Sequence, residues 1–347
     1  MIEKRIGLTQ LPKRGLRGAA LTVCVAFCLP GSSASADAKA KFTTFDCAGS
    51  THTYAFSINA KGAITGWCSG NITTHGFVRA ANGKIKTFDP PGSTNTAGYS
   101  INATGAITGN FETGNGEYHG FVRAAGGTIT TFDPPGSIHT YVTSINATGT
   151  ITGSYFTHND GVVYGFLRAA DGTITTFDLP GATGTAGMSI NDTGAIAGIY
   201  YDSQNVAHGF VRAANGTFTT FDAPGATLGT AAFSINDDGV ISGDYETSNT
   251  DNHGFVRAAD GTITTFDPPG SITTRAYSIN AKGVISGFEE DGNGVEHGFV
   301  RAAGGTITTF DPSGSIDTIG WSINDKGVIA GAYTDSNEMV HGFLRSK

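Results

Sequence analysis

Apolar and polar residues alternate in short runs of about four to six positions from residue 42 to the end of the chain, each run closed by a glycine-bearing turn. Alternation at period two is the mark of a half-buried β-strand, and no segment sustains the 3.6-residue period of a helix. The stretch from Ala276 to Asp311 shows the unit. A first strand ends at Asn280, and an Ala281-Lys282-Gly283 turn leads into a second over Val284–Gly287. A third runs from His297 to Arg301, and a fourth, rich in Thr and Phe, from Thr306 to Asp311.

This unit recurs seven times with a period of ~44 residues, the signature of a repeat architecture. Its Ser-Ile-Asn segment starts at Ser57, Ser100, Ser144, Ser189, Ser234, Ser278 and Ser322, and its Phe-Asp pair ends at Asp46, Asp89, Asp133, Asp178, Asp222, Asp267 and Asp311. Two-residue pairs such as Asn82-Gly83 and Asp171-Gly172 separate the third and fourth strands, which predicts type I′ hairpins with φ > 0 at both positions. Four antiparallel strands repeated radially describe a propeller blade. A β-solenoid would have shorter coils and atypical caps, which the sequence lacks. The expected fold is therefore all-β, a seven-bladed β-propeller of four-stranded antiparallel blades. The chain opens on a fourth-strand motif (42–46) and stops after a third-strand motif (341–345), so the N-terminal strand is expected to complete the last blade and close the ring.

The first 36 residues differ. Lys4, Arg5, Lys13, Arg14 and Arg17 precede an apolar stretch from Ala19 to Leu29, followed by Ala34-Ser35-Ala36. That order reads as a secretory signal peptide, too short to span a bilayer. The expected organisation is a signal peptide over 1–36 and a propeller over 37–347, in a secreted or periplasmic protein. Removing 1–36 takes away five basic residues and Glu3, and moves the formal charge from −8 to −12. Such an acidic domain disfavours nucleic acid, and no apolar run remains to cross a membrane. Cys24 and Cys28 leave with the leader. Cys47 and Cys68, both in the first repeat and in an oxidising compartment, are expected to pair.

The pattern Ser-Ile-Asn-x-x-Gly-x-Ile-x-Gly followed by His-Gly-Phe, as at His208-Gly209-Phe210, resembles the HAF-repeat family of probable extracellular bacterial proteins. That family is named for His-Ala-Phe, and here glycine takes the middle place. The resemblance covers the whole chain after the leader. It implies export and a repeat fold, and carries no catalytic residues with it.

Six triplets begin with histidine (His75, His119, His208, His253, His297, His341), and Tyr164 takes the seventh place. On separate blades, with strands ~4.8 Å apart, these histidines diverge too far to share a metal at ~2 Å. A hydrogen bond within each blade is the expected role. The seven Asp residues precede turns, where Asp bonds its own backbone. The seven Arg residues that close the third strands are expected to pair one blade with the next. Residues present in every blade serve what every blade needs.

The copies differ in the loop between strands two and three and in the connection after Pro-Gly, which emerge on one face of a meander. An aromatic follows strand two (Trp67, Phe111, Tyr155, Tyr200, Tyr245, Phe288, Tyr333), with acids nearby, among them Glu112, Asp160, Asp202, Glu246, Glu289 and Asp335. Aromatics beside carboxylates stack on sugar rings or grip cations. The candidate binding residues are Tyr155, Tyr200, Tyr245, Phe288, Glu289 and Tyr333. The run Glu289-Glu290-Asp291-Gly292-Asn293-Gly294 lacks the regular calcium-loop series. No G-x-S-x-G, H-E-x-x-H or phosphate loop is present, so no catalytic residue, metal ligand or cofactor is expected. The sequence points to a monomeric binding or interaction module for a glycan or protein ligand. An extracellular glycan-active hydrolase or lyase, or a passive surface protein, is the alternative.

Overall fold

The computed structural model of the chain describes residues 40–70, 72–157, 161–247 and 251–347. The expected leader (1–36) and Asp160 lie outside the described residues. Among these, 28 strands, numbered β1–β28 in chain order, account for the regular structure, and there is no helix. Among the described residues, no helix is long and apolar enough to cross a membrane.

The first repeat sets the pattern. Strands β2 (His52–Ile58), β3 (Ile64–Ser69), β4 (Thr74–Arg79) and β5 (Ile85–Phe88) pair antiparallel in chain order. The same four-strand order returns in each later repeat up to the last. There β26 (Ser315–Ile323), β27 (Ile329–Asp335) and β28 (Val340–Ser346) lack a following fourth strand. The β1 strand (Lys41–Phe45) pairs antiparallel with β28 instead, from Lys41 opposite Ser346 to Phe45 opposite Gly342.

The hairpin between strands three and four differs from the expected type I′. Among the described residues, the only non-glycines with positive φ are Asn205 and Glu338, so Asn82 and its equivalents do not adopt it. Gly83 N–H bonds to Ala80 O, and Ala80 N–H to Lys84 O, both at 2.9 Å, with Gly83 at φ 91°. This is the three-residue loop: a type I turn followed by a left-handed glycine.

A second glycine is required where β3 passes β2. A Cβ at Gly66 would overlap the Tyr54 carbonyl oxygen, beside the register shift between Ala55 and Ser57. The bulge lets the first strand bend as it ends in Ser-Ile-Asn.

The Ser-Ile-Asn segments form two belts. Ser57 Oγ accepts the Ile101 N–H at 3.2 Å, and the same bond links every repeat to the next until Ser322 accepts from Ile58. Asn59 Nδ2 donates to Asn102 O at 2.9 Å, and the series continues through Asn146, Asn191, Asn236 and Asn280 to Asn324. Asn324 donates back to Asn59 O at 3.1 Å. Both belts are satisfied buried or half-buried polar groups, which is what a packed interior demands. The Ile of each segment and the Ile and Phe of the next two strands, such as Ile58, Ile64 and Phe77, form a core within each repeat.

Cys47 and Cys68 are joined by a disulfide, with Cα atoms 6.3 Å apart. The bridge ties the segment after β1 to the second strand of the first repeat.

Candidate functional site

The residues that look most chemical are absorbed by the frame. His Nδ1 of the third strand lies 2.8–2.9 Å from the Asp that ends the fourth, in His75–Asp89, His119–Asp133, His208–Asp222, His253–Asp267 and His297–Asp311. In the last repeat the partner of His341 is Asp46, at 2.9 Å. Six of the seven Asp residues therefore bond across the strand pair, and Asp178, whose repeat has Tyr164 in place of histidine, accepts from Thr185 at 2.7 Å. Each Arg stacks over a Phe of the preceding fourth strand, from Arg79 on Phe45 at 4.7 Å to Arg345 on Phe310 at 4.8 Å. The expected blade-to-blade pairing of Arg is thus a cation–π contact.

Five of the six candidate binding residues sit in this frame. Tyr200 stacks on His208 with ring centroids 4.9 Å apart, Tyr245 packs on His253 at 5.2 Å, and Tyr333 on His341 at 5.1 Å. Tyr155 packs on Tyr164, the residue that replaces histidine, at 5.5 Å. Glu289 pairs in register with His297 and is 7% exposed. Burial raises its carboxyl, although His297 pulls the other way. Each stands in a different repeat, one residue beyond the position that follows the strand-two glycine, and they do not converge. Phe288 occupies the position directly after the glycine and turns the other way, against Tyr277 at 5.8 Å.

Three loop carboxylates are also structural. Asp202, Asp291 and Asp335 each accept two backbone N–H bonds across the hairpin between strands two and three. These bonds, led by those from Val206, Val295 and Met339, hold the three carboxyls below the usual range. Their other oxygens approach His208, His297 and His341 at 3.5, 3.9 and 3.5 Å.

With the frame accounted for, the positions that vary are the ones that matter. The ends of all seven first strands converge on one pit of about 270 Å³, lined by Asn59 and its six equivalents, so the first strands are innermost. The polar side chains of the Asn belt are consumed at this mouth. Asn59 Oδ1 accepts from Lys61 and Ala63, while its Nδ2 serves the next repeat. This mouth carries the short regular turns.

Further up the axis, the residue before each belt Ser forms a chain of rings. Phe233 meets Tyr277 (5.5 Å), Tyr277 stacks on Trp321 (4.7 Å), Trp321 meets Phe56 edge-on (5.3 Å), and Phe56 stacks on Tyr99 (5.5 Å). Thr143 and Met188 hold the same place in the other two repeats. Tyr54 stacks on Trp67 at 4.5 Å and reaches Phe56 at 6.1 Å. All of these rings keep part of their surface open.

Charge gathers on one side of the belt. Arg275 Nε lies 3.6 Å from Asp244 Oδ2, and its Nη2 donates to Asn252 Oδ1 at 3.3 Å. Burial pushes the Asp244 carboxyl up to about 7 against the pull of Arg275. Asn252 Nδ2 donates to Glu246 at 3.5 Å. Burial raises the Tyr54 phenol to about 12, with Glu296 adding to it, and raises Tyr277 as well, where Glu296 again contributes. One carboxylate of the sixth repeat thus acts on phenols of the first and sixth. Sequence reading missed this cluster. The signal was the aromatic column one residue before Ser, at Phe56, Tyr99, Phe233, Tyr277 and Trp321.

No protein-family model matches the chain, and no curated protein matches it. Solved structures do. A streptogramin B lyase is similar over 91% of this chain and 100% of that one, at 17% identity and a TM-score of 0.60. A catalytically inactive virginiamycin B lyase from Staphylococcus aureus, with quinupristin, covers 88% and 99% at 17% identity and 0.59. The β-propeller domain of the Trilobed protease from Pyrococcus furiosus covers 85% and 94% at 10% identity and 0.62. The fold is an all-β propeller.

Proposed function

We propose that this protein is an exported seven-bladed propeller, of HAF-repeat type, closed by its N-terminal strand, that works as a binding module. The belts that return from Ser322 to Ile58 and from Asn324 to Asn59 support seven blades. The β1–β28 pairing supports closure. The leader-like residues 1–36 support export to the periplasm or medium.

The observation that carries the binding reading is the contrast between frame and axis. Arg, Ser and Asn recur with the same partners in all seven repeats and the His–Asp pair in six, whereas the axis-facing positions differ from repeat to repeat. Phe56, Tyr99, Tyr277 and Trp321 stand where Thr143 and Met188 stand elsewhere. Asp244, Arg275 and Glu296 have no equivalents in the other repeats. Propellers of this likeness include a lyase and a hydrolase, so catalysis is the second reading. The His–Asp pairs speak against it, because all six repeat one structural bond and four of the histidines are packed against an aromatic ring of their own repeat.

Incubating the purified chain with a panel of glycans, peptides and small amphiphiles, followed by mass spectrometry, tests the reading. Ligand retained unchanged supports a binding module. A new product that disappears with Glu296→Gln makes the protein an enzyme of the same axial site.

A further inference from the structure

We propose that the acidic aromatic end of the axis binds an organic cation: an ammonium group on an apolar body, with an acceptor oxygen close to it. This rests on the reading that the axial positions are the contact surface.

The ring faces come first. Trp321 stacks on Tyr277 at 4.7 Å and Trp67 on Tyr54 at 4.5 Å, with Phe56 between the two pairs. Ring faces carry negative potential and attract an ammonium within about 6 Å. The carboxylates agree in sign. The Glu296 backbone N–H donates to Asp317 Oδ1 at 3.2 Å, and Asp317 stands on β26, the strand that carries Trp321. The positive group of the cluster, Arg275, is already engaged by Asp244 and Asn252. An anion therefore meets Glu296, Glu246 and Asp317 with no uncommitted guanidinium to receive it. A cation meets carboxylate and ring face together.

The acceptor oxygen follows from Trp321. Its Nε1–H is buried and has no hydrogen-bond partner among the described residues. A buried donor left unmade is costly, and a small shift of the ring that uncovers it lets a hydroxyl or carbonyl on the ligand complete it. Choline has this pairing of groups and serves as the probe.

The chain has two tryptophans, Trp67 and Trp321, and both lie in this cluster. Tryptophan fluorescence of the full chain, excited beyond tyrosine absorption, therefore reports on this cluster. Choline should shift it saturably, and tetramethylammonium, which lacks the hydroxyl, should need a higher concentration. Methyl glucoside and benzoate should leave it unchanged. Glu296→Gln should weaken choline by about tenfold, which is ~1.4 kcal/mol, while Glu117→Gln, in the loop between strands two and three of the second repeat, should not. Trp321→Phe keeps a ring but removes the donor, so it should bring choline down to the level of tetramethylammonium. Circular dichroism melts confirm that each variant is folded.

A response to methyl glucoside and none to the ammonium probes overturns the cation class and leaves the axial site standing. Choline binding seen by calorimetry with silent tryptophans overturns the axial site itself. No binding of any probe by either method overturns the proposal.

Discussion

His341 Nδ1 lies 2.9 Å from Asp46 Oδ2, although 295 residues separate them. The contact reproduces across the two ends of the chain what neighbouring strands make in five other repeats. Around it, Phe42 packs on Phe310 and Phe343, Phe45 packs on Phe77, and Arg79 lies over Phe45.

Closure should therefore be energetic and local. Removing residues 41–46 exposes the edge of β28 and takes two phenylalanines from their neighbours. Phe45 is buried and Phe42 half-buried, so at ~1.5–3 kcal/mol for a fully buried ring the loss is about 2–4 kcal/mol, read as a lowered urea midpoint. Asp46→Asn should cost about as much as Asp222→Asn, the same pair made within one repeat. An unchanged midpoint on deletion means that β1 is not the closing strand.

Stability should fall as the pH rises through neutrality. Burial opposes charge on His297 and His341, yet the hydrogen bonds from Asp311 and Asp46 and the surrounding carboxylates raise both above 6.5. A histidine whose folded pKa exceeds its unfolded value stabilises fully below 6.5 and loses that contribution as the pH climbs through the folded value. Asp244, raised to about 7 by burial, acts in the same direction between 3.8 and 7. The lowered carboxyls of Asp202, Asp291 and Asp335 act the other way and lose their contribution as the pH drops through their folded values. Thermal melts from pH 3 to 9 should show a maximum on the acid side of neutrality. In Asp46→Asn the decline above pH 6.5 should be shallower, and an identical decline would remove His341 from the explanation.

Repeat, strand order and frame were legible because each is written seven times. Ser57 and its equivalents recur because a belt needs one donor and one acceptor per repeat. The turn type was not legible, since Asn82-Gly83 suits both a two-residue and a three-residue loop. The negative φ of Asn82 and the Ala80–Lys84 bond distinguish them. The site was obscured by one position. Trp67 and Phe288 follow the strand-two glycine directly, whereas Tyr155, Tyr200, Tyr245 and Tyr333 come one residue later. Strand alternation sends these two sets to opposite faces. The first-strand bulge hid the axial column in the same way, because it breaks the period-two rule just before Ser57.

The Cys47–Cys68 bridge spans a sequence separation of 21. In the chain-entropy picture a loop of this size stabilises by ~3 kcal/mol. Melting with and without a reductant should show a clear drop in Tm when the bridge is opened, and Cys47→Ser with Cys68→Ser should match the reduced protein. Equal melting temperatures would leave the bridge without a role in stability.

Glu338 holds a left-handed conformation, φ 62°, at the place that Gly116 and Gly294 fill in other repeats. A side chain there costs roughly 1–2 kcal/mol relative to an unstrained position. Glu338→Gly should raise the urea midpoint by the equivalent of about 1 kcal/mol, whereas Gly294→Ala should lower it.

The central claim is that the axis, and not the repeated His, Asp and Arg, presents an accessible acidic aromatic surface. Collisional quenching of Trp67 and Trp321 tests it without any ligand. With N-acetyltryptophanamide as the reference, caesium should quench the protein more strongly than iodide at equal ionic strength. The difference should shrink in Glu296→Gln and at high salt. Equal quenching by the two ions, or stronger quenching by iodide, would contradict an open acidic axis.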